Sequence, residues 1–349
     1  MNTMHPLVNY MTSFFTHYLE MQRGLSVNTI LSYRDSLKLF FCYAADRLKV
    51  NVEKLTIENL DEKTVLTFLE HLKTKRHDCD STRNNRLAAI RTFFRYIGRI
   101  EPVLLEQVQT IRSIPQKKTQ KMLITYLDEN ELASIMKTID ENGLNGRRDK
   151  ALILFLYNTG ARVQEVVDLN IDELRLDDFG QVKLLGKGGK QRACPLWPET
   201  VSAIKEYIEQ RIQQGIVSDV FILNNKKERI TRFGIRYIVK KYSRLASLKC
   251  PSLKRKKISP HTYRHSTAMH LLMAGNDINM VQMWLGHSDL NTTHQYVELN
   301  MEMKREMLLK SSPPEENKEF HKPLWKDDKI LKWLEELTYP GKLCEAVVP

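Results

Sequence analysis

Apolar residues recur at helical spacing through most of the first hundred positions, which restricts this part of the chain to short amphipathic helices packed on one another. A first stripe, roughly Pro6 to Arg23, aligns Leu7, Met11, Phe14, Phe15 and Leu19, and Gly24 closes it. Ser26 suits the N-cap of a second helix whose apolar positions include Ile30, Leu31, Leu37, Phe40 and Phe41. A third begins at Asp61 and carries Val65, Phe68, Leu69 and Leu72. A fourth begins near Asp80, Ser81 and Thr82 and carries Leu87, Ile90, Phe93, Phe94 and Ile97. Its other positions hold Arg83, Arg86, Arg91, Arg95 and Arg99, which read either as a solvated face or as a helix laid along nucleic-acid phosphates.

The pattern weakens between Glu101 and Met122, where Ile114-Pro115-Gln116-Lys117-Lys118 interrupts it with polar and basic text suited to a linker. Beyond it, Asp128 followed three residues later by Glu131 reads as a capped helix start. Helical spacing continues over Arg147 to Tyr157 and Arg162 to Leu169. Strand-like runs then flank Gly186-Lys187-Gly188-Gly189-Lys190, which predicts a hairpin about a glycine-rich turn. Helices resume at Pro198, and a charged tail follows Pro314, with a short amphipathic stretch from Ile330 to Leu337. A chain of 349 residues is long enough for two cores. The expected order is a helical domain over 1–108, a linker over 109–124, a second domain over 125–305 and a tail over 306–349.

Charge narrows the partner. Lys and Arg number 54 against 42 Asp and Glu, a formal +12, which points to a polyanion, nucleic acid before an anionic membrane. No run of about 18 apolar residues is present to span a bilayer, so no membrane partner is expected. The five cysteines are scattered, with no Cys-x-x-Cys pair, which argues against a disulfide framework or a zinc knuckle and fits a reducing cytoplasm. Met1 to Tyr10 lacks the basic start and apolar run of a secretory signal.

Three local patterns carry the chemistry: Thr159-Gly160-Ala161-Arg162 with Glu165, His261-Thr262-Tyr263-Arg264-His265, and Leu285-Gly286-His287 with Tyr296 beyond it. The Gly186 to Lys190 turn lies between the first two. In this order and spacing the chain resembles the tyrosine recombinase (phage integrase) family up to about Leu299. No single member is specific: a lone Tyr296 is usually a packing residue, and His261 with His265 lacks the Glu of a zinc-protease helix. The coincidence of five elements carries the resemblance.

The resemblance implies a mainly α, two-domain fold. An N-terminal four-helix, SAM-like core-binding domain precedes an α+β catalytic domain with a small antiparallel sheet. It implies catalysis by Arg162, Lys187, His261, Arg264, His287 and the nucleophile Tyr296, without cofactor or metal. The residue types suit the reaction. Two guanidiniums hold the non-bridging oxygens of a phosphate and stay charged. Imidazoles donate or exchange a proton near neutrality. A protonated lysine supplies a proton to a departing 5′ oxygen. A phenol, with a pKa of about 10, both attacks and leaves acceptably. Glu165 lies one turn beyond Arg162 and could orient it.

Candidate DNA contacts are Ser26, Asn28, Thr29 and Arg34 at the second helix, Arg83, Arg86 and Arg91 on the fourth, Lys117 and Lys118 in the linker, and the run Lys254-Arg255-Lys256-Lys257. Strand exchange between two duplexes needs four sites, so the resemblance further implies a homotetramer on synapsed double-stranded DNA, alone or with related recombinases. The segment Ile330 to Leu337 is the candidate for docking on a neighbouring subunit. The chain starts directly with the core-binding helices, as in Xer-type or mobile-element recombinases. A nicking-closing topoisomerase and a DNA-binding accessory protein without catalysis are the alternatives.

Overall fold

The computed structural model describes residues 5–119, 124–178, 180–186 and 189–286, and the chain divides into two units between Met122 and Leu123. The first unit is helical. It holds α1 (Val8–Ser13), a π-type turn of helix over Phe14–Gln22, α2 (Val27–Leu48), α3 (Glu62–Thr74), α4 (Asp80–Ile100) and α5 (Leu105–Ser113). The single first helix expected over Pro6 to Arg23 is thus an α-helical turn continued in π winding. Ser26 occupies the cap position of α2 without a side-chain cap bond, whereas the Asp61 carboxylate accepts from Thr64 N at 2.8 Å and starts α3. The apolar stripes converge as expected: Phe14, Phe40, Phe68, Phe93 and Ile97 are fully enclosed, and Phe14 meets Phe93 edge-on at 5.1 Å.

The main departure in this unit is α5. The stretch expected to be linker from residue 109 onward is helical to Ser113, and Val108, Ile111 and Ile114 pack into the first core. The backbone of Lys117 is also held, because the Asn84 side chain donates to Lys117 O at 2.8 Å and accepts from Lys117 N at 3.1 Å. Three apolar residues at three-residue spacing over nearly two helical turns were enough to dock α5, although polar neighbours hid the pattern.

The second unit contains α6 (Glu129–Met136), α7 (Leu144–Thr159), α8 (Val163–Asp168), β1 (Leu174–Arg175), β2 (Gln181–Leu185), β3 (Gln191–Pro195), α9 (Pro198–Gln213), α10 (Arg232–Ala246), α11 (Pro260–Met273) and α12 (Ile278–Leu285). The expected box at α6 is present: Asp128 accepts from Glu131 N at 2.8 Å and Glu131 accepts from Asp128 N at 2.9 Å. The strands form an antiparallel sheet in the order β1-β2-β3, with Val182 opposite Cys194 and Leu184 opposite Arg192. Alternation sends Val182 and Leu184 into the core, which anchors the hairpin to the helical layer. Helix α7 lies enclosed between α9 and α11, so its C-terminal end is rigidly placed.

Candidate active site

Arg162 is presented by a sharp chain reversal. α7 ends at Gly160 in the left-handed region, φ 58°, and a Cβ there would lie 2.5 Å from Leu285 Cδ2. Only glycine fits both the dihedral and the space. Two residues later Arg162 sits at the cap of α8, where Glu165 Oε2 accepts from its backbone N at 2.8 Å and Glu165 Oε1 accepts from Nη1 at 3.0 Å. Arg162 Nη2 donates to Gly286 O at 3.2 Å. The Glu165 side chain thus bonds both the backbone and the guanidinium of Arg162.

Arg264 comes from the first turns of α11, started by Ser259 and Pro260. It is only 3% exposed and donates from Nη1 to Gly160 O and from Nη2 to Leu285 O, both at 2.6 Å. The two arginines therefore grip adjacent carbonyls at the end of α12, Leu285 by Arg264 and Gly286 by Arg162. Residues more than a hundred positions apart, from the α7–α8 turn and from α11 and α12, meet there.

His261 lies at the open edge of this group. Partial desolvation, then the positive charges of Arg264, Arg162 and Arg236, lower its pKa, so it is a neutral imidazole at neutral pH. One turn on, burial first and then His261 and Arg264 push His265 down to about 4. Burial alone would raise the Glu165 carboxyl, but bonds and charge from Arg192, followed by bonds from Arg162, hold it below its ordinary value. The result is an anionic carboxylate inside a cationic cluster, an arrangement that can bind a phosphate while keeping its donors oriented.

A basic cavity of about 780 Å³ adjoins this centre. His261 lines it together with Arg236, Lys240 and Arg244 of α10 and with Lys254, Lys256 and Lys257, and among the described residues no acidic one lines it. The α10 cations were missed by the sequence reading, although Arg232, Arg236, Lys240 and Arg244 recur at four-residue spacing. Arg192 was missed too; its partner is distant in the chain and a strand arginine ordinarily reads as a solvated edge.

Several expected DNA contacts are turned inward in the structure. Lys256 is held by Glu131 Oε2 at 2.6 Å and Tyr126 O at 2.8 Å, which makes it a pin between α6 and the segment before α11, not a free cation. In the first unit Arg83 is buried and donates to Asn84 Oδ1 at 3.2 Å, Arg86 pairs with Asp78 at 3.1 Å, and Arg91 donates to Ile114 O. The docking of α5 over α4 explains the inward turn of Arg91, whereas Arg86 is turned by Asp78 in the segment before α4. Arg91 still lines a smaller cavity, of about 330 Å³, with Arg95 and Arg112. Ser26, Asn28 and Arg34 lie exposed at the start of α2, with Thr29 half-covered; Ser26 Oγ is 2.9 Å from Thr29 Oγ1, and Arg34 pairs with Asp35. Lys118, Lys254, Arg255 and Lys257 are exposed and Lys117 is half-exposed. Lys187, His287, Tyr296 and the 306–349 tail lie outside the described residues.

The chain is a two-unit helical protein whose second unit sets two arginines beside a hairpin sheet, and comparison with known proteins identifies the class. Residues 125–303 match the phage integrase family and residues 13–101 match the phage integrase N-terminal SAM-like domain. A candidate integrase/recombinase of Sinorhizobium fredii, y4rC, is 33% identical over 95% of this chain and 98% of its own. The tyrosine recombinase XerC of Pelobacter propionicus is 32% identical, with coverage of 89% and 97%. The structure resembles that of the XerH site-specific recombinase bound to its difH substrate in a post-cleavage complex, with a TM-score of 0.65, 25% identity and coverage of 82% and 80%.

The chain belongs to the phage integrase family. It is a tyrosine recombinase, a site-specific recombinase that cleaves and rejoins DNA. The match includes the N-terminal helical unit, and nothing in it supports the topoisomerase alternative.

Proposed function

We propose that Tyr296 attacks the scissile phosphorus of a duplex recombination site, forming a 3′-phosphotyrosyl bond while the P–O5′ bond breaks and Lys187 gives its proton to the 5′ oxygen. Arg162 and Arg264 hold the non-bridging oxygens, and neutral His261 with His287 donates to the same oxygens or moves the tyrosine proton. The observation that carries this reading is the convergence of Arg162 and Arg264 on the adjacent carbonyls of Leu285 and Gly286, immediately before His287. A phosphate there would meet two preoriented, permanently charged forks. The phosphotyrosyl bond keeps the energy of the broken linkage, so rejoining by the 5′ hydroxyl of the partner strand needs no nucleotide and no metal.

The DNA-facing groups that fit this reading are Ser26, Asn28, Thr29, Arg34, Lys117, Lys118, Lys254, Arg255 and Lys257, joined by Arg236, Lys240 and Arg244. Exchange between two duplexes requires four subunits, so the working form is a homotetramer on synapsed DNA, or a mixed tetramer with a related recombinase. The 306–349 tail is the docking segment between subunits, and the cytoplasm is the compartment of action. Among the described residues no helix is long and apolar enough to cross a membrane.

A nicked suicide duplex tests the chemistry: loss of the short fragment prevents rejoining and traps protein on the 3′ end. Wild-type protein is expected to accumulate covalently, and Tyr296→Phe to give no adduct. An adduct in that variant removes Tyr296 as nucleophile. Sequencing DNA trapped in the host then identifies whether the junction belongs to a mobile element or to the chromosome.

A further inference from the structure

Arg192 stands in β3 opposite Leu184, on the hairpin whose turn carries Lys187 in sequence. Its side chain is 9% exposed and grips both oxygens of Glu165, Nη1 to Oε1 at 3.0 Å and Nη2 to Oε2 at 2.7 Å. Its Nε donates to Trp284 O at 3.1 Å. Glu165 also accepts from the backbone N and Nη1 of Arg162, so each carboxylate oxygen serves both arginines. Close packing seals the arrangement: a Cβ on Gly286 would lie 3.1 Å from Arg192 Cδ.

We propose that Arg192 is a positioning residue for DNA cleavage, holding Glu165 so that Arg162 presents its guanidinium to the phosphate. Two physical effects support this. Glu165 beside Arg162 alone would form a neutral pair with little attraction for a phosphate. The second guanidinium returns the Arg162–Glu165–Arg192 group to a net positive charge. The bidentate grip also gives each carboxylate oxygen a second anchor from the sheet side, so the group that Arg162 bonds is itself held from β3. Through Trp284 O, the same guanidinium ties β3 to the helix that immediately precedes His287.

The inference rests on Arg162 being a phosphate ligand, and its test separates the two. Single-turnover cleavage of the suicide duplex at saturating protein is measured for Arg192→Ala, Arg192→Lys, Arg162→Ala and the double Ala variant, with DNA affinity and thermal melting alongside. Arg192→Ala is expected to slow cleavage by about 10- to 100-fold, as displacement of a reacting group by about an ångström does, with little change in affinity. Arg192→Lys keeps the charge but not the fork and falls between. In the Arg162→Ala background the Arg192 change is expected to cost less than about twofold, because coupled residues are not additive. A purely structural role would slow both backgrounds equally and overturn the proposal, as would unimpaired cleavage by Arg192→Ala. If Arg192→Ala melts below the assay temperature, the same cycle with Arg192→Lys decides. Arg162→Ala cleaving at the wild-type rate would instead remove the phosphate reading itself.

Discussion

At the scale of single residues, the site is a problem in placing charge. Arg264 is buried among carbonyls and Arg162 is half-open, so one guanidinium is fixed by the fold while the other depends on Glu165. These two and His261 were legible because each sits in a local motif. Lys256 was misleading for the opposite reason: four consecutive cations look equivalent in sequence, yet one reaches Glu131, a carboxylate 1% exposed that needs a partner. The half-buried His265 has a measurable consequence. His265 has a folded pKa of about 4, below the ordinary histidine value of about 6.5, so the unfolded chain binds its proton more readily. Stability from this group is therefore complete above about pH 6.5 and is lost as pH falls through about 4. The melting temperature of the full chain is expected to drop over that window, and His265→Gln to flatten the drop. An unchanged pH profile in the variant would contradict this account.

At the scale of elements, short-range chemistry was read well. The helix start at Asp61, the Asp128–Glu131 box and the hairpin about the glycine-rich turn each depend on residues a few positions apart, and each is present, whereas the Ser26 cap expected for α2 makes no side-chain bond. What escaped was placement by distant contact. α5 looked like linker because its apolar residues are few, yet Ile111 is fully enclosed against the first core. The π winding of Phe14–Gln22 has no sequence signature that we can identify. Ile111→Ala is expected to destabilise the full chain by about 2–5 kcal/mol, as measured by denaturant unfolding. A loss under about 0.5 kcal/mol would return this segment to a surface linker.

At the scale of the whole molecule, a surplus of +12 charges meets a cavity lined by cations, and the two observations describe one surface property. Affinity for the recombination site should fall steeply with salt, since each neutralised phosphate releases counterions. Replacing Lys254, Arg255 and Lys257 together with Ala is expected to reduce the slope of log affinity against log salt by about 2–3, at roughly 0.9 per contact. Lys256→Ala should leave that slope nearly unchanged and lower thermal stability instead, because its charge faces Glu131. Equal slope changes from both would mean that Lys256 faces DNA after all. The account depends most on a covalent bond between one phenol and one phosphate. Protein trapped on suicide DNA, digested with nuclease and protease, should give a nucleotide-bearing peptide whose fragmentation puts the added mass on Tyr296. Added mass on any other residue, or none on a protein that still cleaves, would contradict it.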